Sequence, residues 1–213
     1  MNGFPESLPA DPLPVFADWF AVACADSGLP NPEAMALATS GPQGQPAVRI
    51  VLCKDIVTAP GYLVFYTNYE SDKAQAIAEN AAVAVNFHWD VLNRQVRIEG
   101  LAVRSPAGES DAYFASRDRD SQLGAWASRQ SAAIGSRAAL QQAMEDMRRR
   151  FGTDPVPRPP HWGGYRIWIH SVELWARGTA RLHDRARWQR GLEQTREAGE
   201  FRVTPWSVTR LQP

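Results

Sequence analysis

The chain has 213 residues, with 23 lysines and arginines balanced by 23 aspartates and glutamates, and only two cysteines. This length suits one domain with a substantial core. Zero net charge removes any general drive toward nucleic acid or anionic membrane, so a phosphorylated ligand must be caught by placed side chains. With no apolar run near eighteen residues, no charged-then-apolar leader, and Cys24 and Cys53 as lone thiols, the expectation is a cytoplasmic protein with reduced cysteines.

Residues 1–10, rich in Pro, Ser and Gly, are expected to form a flexible arm, and residues 11–213 a single domain. Val15 to Ala23 carries apolar residues at helical spacing and is closed by Gly28 and Pro30. Short apolar runs at Met35–Thr39, Ala47–Lys54 and Tyr62–Thr67, separated by Gly/Pro turns, predict a meander of antiparallel strands. A helix over 71–80 follows, with Ser71 in the N-cap position. Strands are expected at Ala82–Trp89 and Arg94–Val103, and the alternation of Val96, Ile98 and Ala102 with Gln95, Arg97 and Glu99 marks one buried face. Helical patterns cover Glu109–Phe114, Ser121–Ala127 and Ser136–Phe151, with the basic run Met147–Arg150 on a wet face. After a proline-rich connector, Pro155–Pro160, strands are expected at Tyr165–Trp175, His183–Gln189 and Phe201–Thr209. The pattern as a whole predicts an α+β fold, an antiparallel β-barrel with peripheral helices.

Several clusters carry chemistry. An extended Arg181-Leu182-His183-Asp184-Arg185 would put Arg181, His183 and Arg185 on one face, two fixed cations around an imidazole, although a solvated surface strand reads the same way. Arg49 to Lys54 has a cation at each end. Strict alternation sends these two to opposite faces, which suits two phosphates rather than one. Ser71-Asp72-Lys73 offers helix N–H groups and a lysine to an anion, though Asp72 would repel one. From Tyr113 to Trp126, hydroxyls, arginines and carboxylates alternate with aromatics; the plain alternative is a helix-loop-helix with internal Arg–Asp pairs, capped by Ser121. Trp175 and Gln95 suit packing and hydrogen bonding to a flat heteroaromatic ring. His88, His161 and His170 show no metal-ligand spacing, and no P-loop or dinucleotide fingerprint is present.

The ordered motifs Arg49–Lys54, Phe65-Tyr66-Thr67-Asn68, Arg94-Gln95-Val96, Arg117–Trp126, Ser128-Arg129-Gln130-Ser131, Pro159–Gly164, Arg181–Arg185 and the terminal Arg210-Leu211-Gln212-Pro213 together resemble the pyridoxamine 5′-phosphate oxidase family over nearly the whole chain. The resemblance implies an FMN-binding split β-barrel that works as a homodimer with FMN at the subunit interface. It implies an FMN site of Arg49, Ile50, Val51, Leu52, Cys53, Lys54, Tyr66, Thr67, Lys73, Gln95, Gln130, Ser131, Trp175 and Arg185. It places substrate phosphate at Lys54, Tyr113, Arg117 and Ser121, with Arg181 and His183 over the substrate ring as the catalytic pair. The implied reaction oxidises pyridoxine 5′-phosphate or pyridoxamine 5′-phosphate to pyridoxal 5′-phosphate, with O2 as acceptor and peroxide as product. His183 is the candidate proton acceptor. Asp72 departs from the family pattern, which usually has an arginine or another phosphate-contacting residue there. The N-terminal arm is short, and the stretch 193–207 is longer than usual and has no chemical reading. Two alternatives stand beside this one: a related flavin oxidase of the phenazine-pathway type, and a non-catalytic FMN or pyridoxal phosphate binder.

Overall fold

The computed structural model describes residues 4–26 and 28–213; of the N-terminal arm, residues 1–3 lie outside the described residues. Helix α1 (Leu13–Ala25) opens the domain and buries Leu13, Phe16, Trp19 and Ala23, one stripe at three- to four-residue spacing. Phe16 packs on Phe87 with ring centroids 5.4 Å apart. Full burial of a phenylalanine stabilises by about 1.5–3 kcal/mol, so this stripe fixes the helix against the barrel. Phe4 stacks on Trp19, with centroids 5.8 Å apart, and its N–H donates to Asp184 at 2.6 Å.

The strands that follow are β1 (Ala34–Ser40), β2 (Pro46–Leu52), β3 (Asp55–Val57) and β4 (Tyr62–Asn68). Then come α2 (Asp72–Glu79), β5 (Ala82–Trp89) and β6 (Arg94–Arg104). Helices α3 (Ala107–Ser116), α4 (Arg119–Ala127) and α5 (Arg137–Phe151) form one block, and β7 (Trp162–Ala176), β8 (Asp184–Gln189), β9 (Leu192–Gln194), β10 (Phe201–Val203) and β11 (Ser207–Leu211) complete the chain. The main antiparallel sheet runs β11-β8-β7-β6-β5-β1-β2, and β4 joins it through β7. Its curl comes from β7. Along one edge Trp162–Trp168 pairs with β4 and Ser171–Ala176 with β8, while β6 runs along the other edge. The register slips between Glu99 and Gly100, and a Cβ on Gly100 would lie 2.3 Å from the Trp168 carbonyl oxygen. Only glycine permits that approach, and the bulge lets the sheet bend.

Three expectations need correction. The strand at Arg49 stops at Leu52: the Cys53 N–H still donates to Glu33 O, one step on in the β1 register, but the Lys54 N–H turns to Val64 O on β4; strand parity therefore does not relate Arg49 to Lys54. Neither Arg181 nor His183 is on the strand with Arg185, which begins at Asp184. Arg181 sits in a short 3₁₀ turn, Thr179–Arg181, with φ of +63° at Arg181 and +51° at Ala180. The expected strand Phe201–Thr209 is two strands broken at Pro205, which has no N–H to donate. Its first half pairs with β9 to form a hairpin, which lays Phe201 on Trp168 at 5.5 Å and binds Glu200 to Arg166 at 2.6 Å.

Candidate active site

A cavity of about 440 Å³ opens between β2, β4, α3 and α4. One wall is the outward face of β2, where Ile50 and Leu52 are 64% and 43% exposed. At one end, Lys73 is 8% exposed. Its Nζ donates to Gln130 Oε1 at 2.7 Å and to Thr67 Oγ1 and Ser71 Oγ at 3.1 Å. Those acceptors are neutral, and among the described residues Lys73 has no ion-pair partner. Burial and then the neighbouring Arg49 push its pKa down, against a smaller opposing pull from Asp72. A desolvated ammonium held only by neutral oxygens is a ready partner for an anion.

At the other end stands Arg117, at the C-cap of α3. Its guanidinium lies 4.7 Å from the Trp162 ring centroid and 5.7 Å from that of Phe114. Nη1 is buried without a hydrogen-bond partner, and burial lowers the pKa. The adjacent carboxylate is occupied elsewhere, since Asp118 caps α4 by accepting the Ser121 N–H at 2.8 Å. Asp118 is thus the cap, not Ser121 as expected. The expected internal Arg–Asp pairing also fails: Arg119 reaches the Asp154 and Gly152 carbonyls, and Asp120 pairs with Arg148. Ser121 and Tyr113 both line the cavity. Tyr113 stacks on Tyr66, with centroids 3.8 Å apart. Lys54 lines it too, but is partly neutralised by Glu33 at 2.5 Å.

Other expected ligands are placed differently. Arg49 lies on the inward side of β2, where its Nη1 donates to Thr39 Oγ1 at 2.8 Å and to the carbonyls of Ala47 and Leu37. Cys53 is fully buried, its thiol pushed up to about 12 by burial, so only its backbone is available. Ser71 holds the N-cap position without capping; its hydroxyl donates to Asn68 O. Ser131, at φ +71°, instead accepts the Asp72 N–H at 3.3 Å. Asp72 is exposed and shares a second cavity with Arg129, Gln130 and Ser131.

Gln95, Trp175 and Arg185 form a row across β6, β7 and β8. The His183 ring lies 4.6 Å from that of Trp175, and its Nδ1 is 3.3 Å from the Gly178 N–H. Arg181 and His183 line a separate cavity of about 680 Å³. The cavity lined by Lys73 and Arg117 and the one lined by Arg181 and His183 share no residue, so a single chain holds these expected site residues apart. Two further residues escaped the sequence reading. Trp162, under Arg117, lay within a recognised motif; Glu173 stood out only as a carboxylate in the apolar run Ile167–Ala176, a sign of buried pairing.

Two family matches cover most of the chain: "Pyridoxamine 5'-phosphate oxidase" over residues 24–151 and "Pyridoxine 5'-phosphate oxidase C-terminal dimerisation region" over residues 162–213. The chain belongs to the pyridoxamine 5′-phosphate oxidase family. It is similar to the pyridoxine/pyridoxamine 5′-phosphate oxidases of Burkholderia lata (48% identity, 95% of this chain and 89% of the relative) and Rubrobacter xylanophilus (49%, 95% and 87%). Among solved structures it resembles PhzG from Burkholderia lata in complex with tetrahydrophenazine-1-carboxylic acid, with a TM-score of 0.84, 29% identity, and coverage of 99% of this chain and 97% of that one. It shares its fold with a pyridoxamine 5′-phosphate oxidase-related FMN-binding protein from Nostoc punctiforme, at a TM-score of 0.70 and 17% identity over 95% of this chain and 97% of that one. The pyridoxamine 5′-phosphate oxidase family is one of flavoprotein oxidoreductases, and the expected α+β split barrel is the fold observed. No helix among the described residues is long and apolar enough to cross a membrane.

Proposed function

We propose that the protein is an FMN-dependent oxidase that converts pyridoxine 5′-phosphate and pyridoxamine 5′-phosphate to pyridoxal 5′-phosphate, acting as a homodimer. The carrying observation is that two cations without carboxylate partners among the described residues, the buried Lys73 and the half-buried Arg117 with its buried Nη1, line one cavity. FMN and substrate each bring one phosphate, and each needs a desolvated cation. Lys73, with Thr67, Gln130 and Ser131, holds the cofactor phosphate, and Arg49 adds positive charge behind it. Ile50 and Leu52 offer an apolar wall to a flat ring. Arg117, Tyr113, Ser121 and Lys54 take the substrate phosphate.

The second half of the site comes from another copy of the chain, whose Gln95–Trp175–Arg185 row and Arg181–His183 turn close over this cavity. The match of residues 162–213 to a dimerisation region supports that arrangement. FMN supplies a two-electron acceptor that O2 regenerates. For the alcohol, substrate plus O2 gives aldehyde plus H2O2; for the amine, water also enters and ammonia leaves. The chain's contribution is position and charge. With Nδ1 of His183 accepting the Gly178 N–H, a neutral imidazole carries its proton on Nε2 and presents a donor. That favours orientation and electrostatic support over proton abstraction for His183.

The likeness to PhzG favours one rival, an oxidase of a tricyclic carboxylic acid. An unpaired cation over Trp162 beside Tyr113 and Ser121 suits a phosphate better. The test is the visible spectrum of purified protein before and after anaerobic addition of pyridoxine 5′-phosphate, with tetrahydrophenazine-1-carboxylic acid in parallel. Flavin bands bleached by the phosphate ester are expected. Bleaching by the tricyclic acid alone would establish the rival, and a protein without flavin bands that binds no added FMN would refute both.

A further inference from the structure

Glu173 is the most deeply buried carboxylate of the outer sheet face, with a side-chain exposure of 4%. Three guanidiniums converge on it. Arg185 donates from Nε at 3.0 Å and Nη2 at 2.7 Å to one oxygen, and Arg187 at 2.9 Å and Arg97 at 3.2 Å donate to the other. The register makes this inevitable, since Arg97, Glu173 and Arg187 are direct neighbours across β6, β7 and β8. Arg185 is held on its remaining side by the Gln212 carbonyl, which accepts from Nη1 at 2.9 Å. Its fork is therefore fixed in one orientation, next to Trp175 in the row that also holds Gln95. Arg97 and Arg187 are 46% and 37% exposed and reach solvent without help. Arg185, at 24%, is the one whose orientation depends on the carboxylate.

We infer that Glu173 is a positioning residue for the flavin ring: it fixes the Arg185 guanidinium in its ring-contacting orientation and cancels one of three adjacent positive charges. This rests on the proposed FMN site and adds to it a residue that touches neither cofactor nor substrate. The alternative is a structural ion-pair cluster that merely ties β6, β7 and β8 together.

Titration of apoprotein with FMN, followed by flavin fluorescence, separates the two. Glu173→Gln leaves three guanidiniums around a neutral amide, which destabilises the sheet for reasons unrelated to FMN; the paired variant Glu173→Met/Arg187→Met removes one charge of each sign and keeps the balance. In the paired variant FMN affinity should fall at least tenfold and the flavin's visible band should shift, while the melting temperature stays close to wild type. Arg97→Met should change neither. In an Arg185→Met background, removing Glu173 should weaken FMN no further, because its effect runs through Arg185. Wild-type-like FMN affinity in the paired variant, or a loss that adds in full to that of Arg185→Met, would overturn the inference while leaving the FMN site standing. Failure of wild-type apoprotein to bind FMN would overturn both.

Discussion

Replacing Arg117 with methionine separates binding from stability, because the structure gives opposite signs to the two effects. In the free protein its Nη1 is a buried donor without a partner, a defect worth about 1–3 kcal/mol. Stacking on Trp162 at 4.7 Å returns roughly 0.5–2 kcal/mol. The two nearly cancel, and methionine preserves much of the apolar contact, so Arg117→Met should melt within a few degrees of wild type, or slightly above it. With a phosphate present the balance changes, since the orphaned N–H groups find their acceptor. Losing one charge-assisted contact of about 1.5–3 kcal/mol should weaken pyridoxine 5′-phosphate about 10- to 150-fold. The assay pairs thermal denaturation with binding of pyridoxine 5′-phosphate and of FMN. A variant that loses FMN and keeps its substrate affinity would show that the two phosphates have been assigned to the wrong cations.

Asp72→Arg should alter FMN affinity less than tenfold at either low or high salt, because Asp72 is exposed and its N–H is already accepted by Ser131; a large, salt-sensitive gain in titrations would place Asp72 inside the site. Gly178→Ala should cut turnover severely, since the added Cβ would lie 1.7 Å from the Leu182 carbonyl oxygen and push the Arg181–His183 turn out of place; unchanged kcat and KM would contradict the proposed role of that turn. Lys73 has a pKa lowered from 10.5 by burial, so the native state binds fewer protons than the unfolded one between the lowered value and 10.5. FMN-free protein should therefore gain stability as pH rises through that window, and denaturant titrations of Lys73→Met should lack this slope. One thiol per native chain, the exposed Cys24, should react with a thiol reagent at neutral pH, while Cys53, buried and with its pKa near 12, should react only after unfolding; two fast thiols would mean an open barrel.

The barrel was legible because alternation reports burial directly. Val96, Ile98 and Ala102 face the core as their spacing predicts, and Gln95 and Arg97 lie on the outer face. The chemistry of the outer face was less legible, since it depends on pairing between strands. Nothing in β7 alone reveals that Glu173 meets arginines from two neighbours, because a cross-strand partner is set by register rather than by sequence proximity. The misreading of Arg181 has a narrower cause. Positive φ at Ala180 and Arg181 puts ordinary L-residues where glycine or asparagine is the usual signal, so within the turn no residue type marked it, and Gly178 just before it was the one local sign. The exchanged roles of Asp118 and Ser121 reflect the same limit. Both residues are good caps, and the choice depends on where α4 begins.

The outward face of β2 joins this division of the site to the rest of the fold. Val48, Ile50 and Leu52 are 66%, 64% and 43% exposed on a strand at the end of the sheet, and β1 beside them presents Ala34, Ala36 and Ala38, whose register pairs them with Leu52, Ile50 and Val48. Such an apolar strip is costly to leave wet. Its Ile50 and Leu52 wall the cavity that holds Lys73 and Arg117, and on the proposed reading the flavin ring and a second chain together cover the strip as that chain delivers the ring-facing half of the site. Burial of the strip and completion of the cofactor site are then one event. A ligand bound across that junction stabilises only the assembled form, so cofactor affinity and subunit association must rise and fall together. On the same reading, the hold of Glu173 and Gln212 on Arg185 within its own chain serves that assembly. A side chain that must meet a ligand carried by another subunit gains most from being oriented before the two surfaces meet.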